Sequence, residues 1–226
     1  MAEPTLYRWP ASAEVGRPVP KTKFYEHGNV SATLRQKFVD DVQRITWAYK
    51  LADATIHLAG SAAVPEIQVF TIETKGTDVA DDVLAAIDKS VHYPLFFEIS
   101  GPERVRIVAA QKTLGGKTPR VGTYFSTGWA PVDSPRLPLP TAIDLPGLYE
   151  AILAGLLPMQ TRDGETVSAA TDRMNEAHRL QREIATLEKR LRAEPQLNRK
   201  IDLRKQLKER QATLAEMTAQ TPNTRG

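Results

Sequence analysis

Residues 66–74, with the sequence EIQVFTIET, form the strongest strand candidate in the chain. The segment is rich in β-branched and aromatic residues, which are enriched in strands. Apolar residues occupy both odd and even positions, so both faces of the strand are expected to be apolar. This pattern predicts a central strand in a sheet that is covered on both sides.

A helix is predicted before this strand. Ser31 is a good N-cap residue, and apolar residues follow it every three or four positions. The spacing predicts an amphipathic helix of about five turns over residues 31–49. The short apolar run TIHLA at residues 55–59 then indicates a further strand. The apolar positions of the predicted helix are Leu34, Phe38, Val42, Ile45 and Tyr49.

The segments after the central strand predict a helix and three more strands. Residues 78–90 carry an apolar stripe at helical spacing. The runs YPLFFEI, ERVRIVAA and VGTYFST follow, separated by turn signals that include GGKT at residues 115–118. A last helix at residues 146–157 closes the predicted domain. The order of elements predicts an α/β, or α+β, fold in which residues 1–160 form a mixed β-sheet with flanking helices and an extended N-terminal arm.

Residues 161–226 predict a different structure, an antiparallel helical hairpin of the coiled-coil type. Leucines and isoleucines recur here with spacings of four and three, which place them on one stripe of a helix. Pro195 interrupts the pattern, because proline cannot continue a helix but is accepted in the first turn of the next one. The stripe consists of Leu180, Ile184, Leu187 and Leu191 before the turn and of Leu203, Leu207, Leu214 and Met217 after it.

The composition narrows the class of protein. The chain of 226 residues has no cysteine and only four scattered histidines, so neither a disulfide nor a metal site is expected, and no cofactor is predicted. No segment has the length of apolar sequence that a membrane span needs, and the N-terminus lacks a signal-peptide pattern. We therefore expect a cytoplasmic protein that does not bind a membrane.

Basic residues are concentrated in the hairpin. The formal net charge of the chain is only +3, but residues 189–210 hold nine basic and three acidic residues. Such a surface is suited to phosphate or to an acidic protein surface. A DNA-binding module is therefore one alternative, although Glu194, Asp202 and Glu209 interrupt the basic residues. The candidate nucleic-acid-binding residues are Arg190, Arg192, Arg199, Lys200, Arg204 and Lys205.

Protein contact is the favoured interpretation of the hairpin. Two antiparallel helices bury little area by themselves, and a projecting pair leaves a second apolar stripe uncovered unless something binds there. Either self-association into a homo-oligomer or a different partner protein satisfies this requirement. The predicted partner-binding residues are Leu197, Ile201, Leu203, Leu207 and Leu214.

The tripeptide ETK at residues 73–75 raises an enzymatic alternative. It ends the strongest strand and precedes a helix, as the glutamate-x-lysine pair of PD-(D/E)XK nucleases does. Alternation places Glu73 and Lys75 on the same face, where the carboxylate can bind a divalent metal and the ammonium can position a water molecule. Such a nuclease also needs an acidic residue on the preceding strand, and only Asp53 is nearby. The catalytic constellation is therefore incomplete, and a protein without enzymatic activity is favoured.

Several segments together resemble one bacterial family, domain of unknown function 4391. They are PKTKFYE, WAYKLADATIHL, EIQVFTIETK, IDKSVHYPLFFEI, YFSTGW and RLPLP, and the likeness extends to the paired C-terminal helices. Members of the family are encoded beside SNF2-type helicases and DNA methyltransferases, in clusters that resemble restriction or phage-defence systems. The resemblance implies an accessory or adaptor subunit of such a DNA-processing complex, with a helicase or a DNA methyltransferase as its partner. It carries no catalytic residue over to this chain.

Overall fold

A mixed sheet with flanking helices forms the N-terminal part of the chain. The computed structural model describes residues 5–26, 30–114, 119–158, 161–162 and 164–219, and it divides the chain into two compact units, Met1–Pro158 and Met159–Gly226. The strands of the first unit are β1 (Glu14–Pro18), β2 (Val42–Leu51), β3 (Ile67–Thr74), β4 (Leu95–Ser100), β5 (Arg104–Thr113), β6 (Arg120–Ser126) and β7 (Ala130–Pro131). Its α-helices are α1 (Thr22–Glu26), α2 (Ala32–Asp41), α3 (Asp53–Ile56), α4 (Asp81–Ser90) and α5 (Leu145–Leu156).

The sheet has the strand order β1-β2-β3-β4-β5-β6, and β7 also pairs with β5. The pair β3–β4 is parallel, and α4 provides the crossover connection that a parallel pair requires. The other strand pairs among the described residues are antiparallel. This mixed arrangement confirms the predicted fold class. The GGKT segment at residues 115–118 lies outside the described residues.

The predicted central strand at residues 66–74 is β3, and both of its faces are covered. Phe70 and Ile72 belong to a buried cluster that includes side chains of α2 and α4. On the other face of the sheet, Phe96 of the neighbouring β4 meets the ring of Tyr149 of α5, with the ring centroids 5.7 Å apart. The apolar residues on both faces of β3 therefore serve two layers of core, as predicted.

The predicted helix over residues 31–49 is wrong beyond Asp41. α2 ends at this residue, and the chain continues as β2. Two irregularities in the register between β2 and β3 interrupt the alternation of β2, so its buried residues recur at every third position and imitate a helical period. The Val, Ile, Thr, Trp and Tyr content of the segment favours a strand. The buried residues of β2 are Val42, Ile45, Ala48 and Leu51.

The predicted strand at residues 55–59 is also wrong. The helical turn α3 occupies its first half, and His57 then adopts a left-handed backbone conformation with φ of 55°. The Thr55 side chain explains the turn, because its hydroxyl accepts a hydrogen bond from the backbone N–H of Ala52 at 2.9 Å and thereby caps it. Ala59 contributes only an isolated bridge to Asp144.

The second unit contains α6 (Val167–Ala193) and α7 (Leu197–Thr218), which pack against each other as the predicted helical hairpin. We call the line of apolar side chains between the two helices the seam. Its half-buried members are Ile184, Leu187 and Leu191 of α6 and Leu203, Leu207, Leu214 and Met217 of α7. None of the helices in the described part of the chain is long and apolar enough to cross a membrane.

Candidate functional site

Two large apolar side chains at the start of α7 are exposed to solvent. Leu197 retains 69% of its accessible surface and Ile201 retains 55%. They are four positions apart, so they lie next to each other on one face of the helix. The other predicted partner-binding residues, Leu203, Leu207 and Leu214, are half-buried in the seam. The structure therefore separates the five predicted residues into an exposed apolar pair, Leu197 and Ile201, and a group that holds the hairpin together.

The apolar pair and an open groove lie on opposite flanks of the seam. The groove residues Asp202 and Gln206 each come one position before a seam leucine. Ile201 instead comes one position after Lys200, whose side chain is half-buried. Successive residues of an α-helix are about 100° apart around the helix axis. The groove residues and the apolar pair therefore lie on opposite sides of the seam. The groove has a volume of about 500 Å³ and is lined by Arg190, Ala193, Glu194, Arg199, Asp202, Leu203 and Gln206.

Basic side chains near the tip of the hairpin, where α6 ends and α7 begins, form no ion pairs with acidic side chains of the described hairpin. Within the described ranges, no carboxylate pairs with any of the six predicted nucleic-acid-binding residues. Arg179 and Arg210, farther from the tip, instead share the carboxylate of Glu183. The six unpaired residues are Arg190, Arg192, Arg199, Arg204 and Lys205, which are exposed, and Lys200, which is half-buried. The tip therefore carries positive charge that is available to bind a partner.

A two-point ion pair closes the base of the hairpin. Nε and Nη2 of Arg173 lie 2.7 and 2.8 Å from the two carboxylate oxygens of Glu165. Arg173 also donates to the carbonyl of Met217 near the end of α7, at 3.1 Å. The hydrogen bonds from Arg173 lower the pKa of Glu165 to about 2. These contacts tie the start of α6 to the end of α7, and no spacing rule revealed them in the sequence.

The two candidate nuclease residues, Glu73 and Lys75, contact different partners. Glu73 Oε1 is 3.5 Å from a guanidinium nitrogen of Arg44 on β2. Lys75 Nζ is 2.7 Å from the backbone carbonyl of Val39 in α2. Asp53 follows the far end of β2, where Leu51 pairs with Ile67, so it is remote from Glu73. No group of three potential metal-ligating side chains occurs in the described part of the chain.

Asp88 of α4 and Lys112 of β5 form a fully buried ion pair that the sequence did not reveal. Lys112 Nζ also donates to the carbonyls of Asp88, Val91 and Tyr93 at 2.8–2.9 Å, which neutralises the C-terminal end of α4. The Tyr124 hydroxyl donates to the second carboxylate oxygen of Asp88 at 2.8 Å. Burial raises the pKa of Asp88 and lowers that of Lys112, and the attraction between the two charges opposes both shifts without cancelling them. Both side chains are 0% exposed, so we assign them to stability.

No curated protein and no solved structure is significantly similar to this chain. The family model described as domain of unknown function (DUF4391) matches residues 8–214, which include the sheet and most of both helices of the hairpin. The resemblance expected from the sequence is thereby confirmed, and the chain belongs to the DUF4391 family.

Proposed function

We propose that this protein is a non-catalytic accessory or adaptor subunit that binds a partner protein through its C-terminal hairpin. The observation that carries the proposal is the exposure of Leu197 and Ile201. Single exposed apolar residues are common on protein surfaces, but these two are adjacent on one face of a helix. They add little to the packing of the hairpin, because Leu203 and Leu207 already fill the seam. A docking surface accounts for their position.

The charges around the apolar pair define the chemistry of the partner. Arg204 and Lys205 follow Ile201 by three and four positions, so they border the pair on the same side of α7. An interface commonly combines an apolar centre with a polar rim. We therefore expect the partner to offer an apolar depression surrounded by carboxylates.

A second copy of this chain fits the surface less well than a different protein. Two copies that meet at the apolar pair would bring the same basic residues, Arg204 and Lys205, close together, and like charges across an interface are unfavourable. Any partner must also contact residues around the pair, because stable interfaces bury about 800 Å² on each side. The pair is better suited to the centre of a larger contact with an acidic partner.

The family resemblance suggests which partner to look for. We propose an SNF2-type helicase or a DNA methyltransferase of a restriction-like or phage-defence complex. Affinity purification of the tagged full-length protein from its native host, after nuclease treatment that removes DNA bridges, tests this assignment. Recovery of either enzyme in about equal molar amount supports the proposal. Recovery of the tagged chain alone would contradict it.

Deletion of residues 161–226 tests the role of the hairpin. The seam, the Glu165–Arg173 pair and the exposed apolar pair all lie in this segment. We expect the deletion to abolish recovery of the partner while the far-ultraviolet circular dichroism of residues 1–160 still shows a folded α/β domain. Undiminished recovery from the truncated protein would remove the hairpin from the interface.

DNA binding is a second candidate function, and the unpaired basic residues at the tip favour it. Each lysine or arginine that contacts a phosphate releases counterions, so the affinity for DNA should fall steeply as salt rises. Replacing Arg199, Lys200, Arg204 and Lys205 with glutamine should weaken the binding of duplex DNA and flatten its salt dependence. Binding that is absent, or that does not respond to salt, excludes this function.

A further inference from the structure

We propose that a pocket on the sheet binds a small neutral ligand through the hydroxyls of a sugar ring, either the ribose of a nucleoside or a free monosaccharide. The pocket is open to solvent and lies on the face of the sheet that carries Glu98, in the first unit. Its volume of about 310 Å³ is at the lower end of the range for small-molecule sites. This proposal is independent of the partner-binding role of the hairpin.

The floor of the pocket is a polar row across three neighbouring strands. Thr46 of β2 is paired in register with Thr71 of β3, and Thr71 is paired with Glu98 of β4. Both threonine side chains are half-buried, and neither hydroxyl has a hydrogen-bond partner among the residues that the structure describes. Each hydroxyl can donate one hydrogen bond and accept others. The floor therefore presents unused hydrogen-bonding groups to whatever enters.

Glu98 is held rigidly at the edge of this floor. Both of its carboxylate oxygens accept from the Arg136 guanidinium, at 2.7 and 2.9 Å, and one also accepts from the Trp9 indole N–H at 2.9 Å. Arg136 is fixed in turn by a hydrogen bond to the carbonyl of Tyr7 at 3.0 Å. The side chain of Glu98 is only 12% exposed. A carboxylate has about four acceptor positions, so one remains for a ligand hydroxyl.

The charges that line the pocket favour a neutral ligand. Glu98 is paired with Arg136, and the remaining charged lining residues are Arg8 and Glu14, one of each sign. A site for phosphate would need an excess of positive charge. Two cations and two anions balance each other in the pocket. We therefore expect the hydroxyls and aromatic rings that line the pocket to determine which ligand binds.

Sugar hydroxyls match what the pocket offers. Neighbouring hydroxyls on a sugar both donate and accept, as do those of Thr46 and Thr71, and carboxylates bind ribose hydroxyls in nucleotide-binding proteins. The hydroxyl of Tyr49 is likewise without a partner in the described structure, and burial raises its pKa, so it stays protonated and able to donate. The rings of Tyr49 and Trp9, with centroids 6.2 Å apart, add an apolar wall.

Isothermal titration calorimetry of the full-length protein with adenosine, uridine, ribose and glucose tests the proposal. We expect at least one of these probes to bind with a dissociation constant of about 1 mM or below. Binding by nucleosides alone means that the base contributes, whereas binding by ribose or glucose means that the sugar suffices. The absence of binding by all four probes at about 10 mM would overturn the proposal.

Substitutions distinguish binding in this pocket from binding elsewhere. Thr71→Val and Tyr49→Phe each remove one hydroxyl and should weaken the binding about three- to tenfold, whereas Thr71→Ser should preserve it. Thr113→Val, at an exposed position of β5, is the matched control and should have no effect. An affinity that is unchanged by both Thr71→Val and Tyr49→Phe would show that Glu98 and its neighbours only anchor the N-terminal arm.

Discussion

Charged residues stabilise the first unit at points where the sequence shows only isolated polar positions. Asp88 and Lys112 are 24 residues apart, and Glu98 and Arg136 are 38 apart. Each side chain taken alone would be expected at the surface. Only the arrangement of strands and helices brings the partners together, and local patterns contain no information about it.

The buried pair leads to a prediction about stability. Lys112→Met should lower the free energy of unfolding by about 3–5 kcal/mol, because it leaves the Asp88 carboxylate buried without its counter-charge. The double variant Asp88→Asn, Lys112→Met should recover part of that loss, since neither member is then charged. Urea unfolding of the full-length variants measures both values. A double variant as unstable as the single one would show that the charge is not the cause.

The ion pair at the base of the hairpin predicts a pH dependence. Because Arg173 lowers the pKa of Glu165 to about 2 from its usual 4.5, the ionised carboxylate stabilises the folded state above about pH 4.5. This contribution should be lost as the pH falls from 4.5 through 2. The melting temperature should therefore drop less between pH 5 and pH 2.5 in Glu165→Gln than in the parent protein. Equal drops would mean that Glu165 is not linked to folding.

At the scale of elements, local patterns predicted most helices and strands, and one failure is instructive. The segment that forms β2 has apolar residues at a spacing of three because its register with β3 is irregular at two places. Periodicity alone cannot separate that spacing from a helix. Both C-terminal helices were predicted correctly, because an uninterrupted seam repeats over several turns. The candidate partner-binding residues of α7 were predicted from the same spacing and stay a prediction, whereas the sheet pocket depends on register across strands.

Shortening a side chain to alanine should change the stability of the hairpin more in the seam than in the apolar pair. Leu207→Ala should lower the local unfolding free energy of the hairpin by about 1–2 kcal/mol, since a half-buried leucine is lost. Leu197→Ala should change it by less than about 0.5 kcal/mol, because the side chain is already in water. Hydrogen exchange of amides in α6 and α7 of the full-length protein measures both effects. Comparable losses would mean that Leu197 contributes to hairpin packing.

At the scale of the whole molecule, the separate contacts of Glu73 and Lys75 lead to a prediction about activity. Glu73 pairs with Arg44 and Lys75 binds the carbonyl of Val39, so neither is arranged around a common metal position. We expect the purified protein to show no DNA cleavage with Mg²⁺ or Mn²⁺ that depends on Glu73. Cleavage by the parent protein that Glu73→Ala abolishes would establish the enzymatic alternative.

We propose that the apolar pair on α7 binds a partner protein. The most direct test is the recovery of a helicase or methyltransferase from the native host with tagged full-length protein carrying Leu197→Glu and Ile201→Glu. A control with Gln211→Glu and Ala212→Glu adds the same charge at exposed positions of the same helix. We predict that recovery falls at least tenfold for the apolar-pair variant and is unchanged for the control. Equal recovery with both variants would contradict the claim.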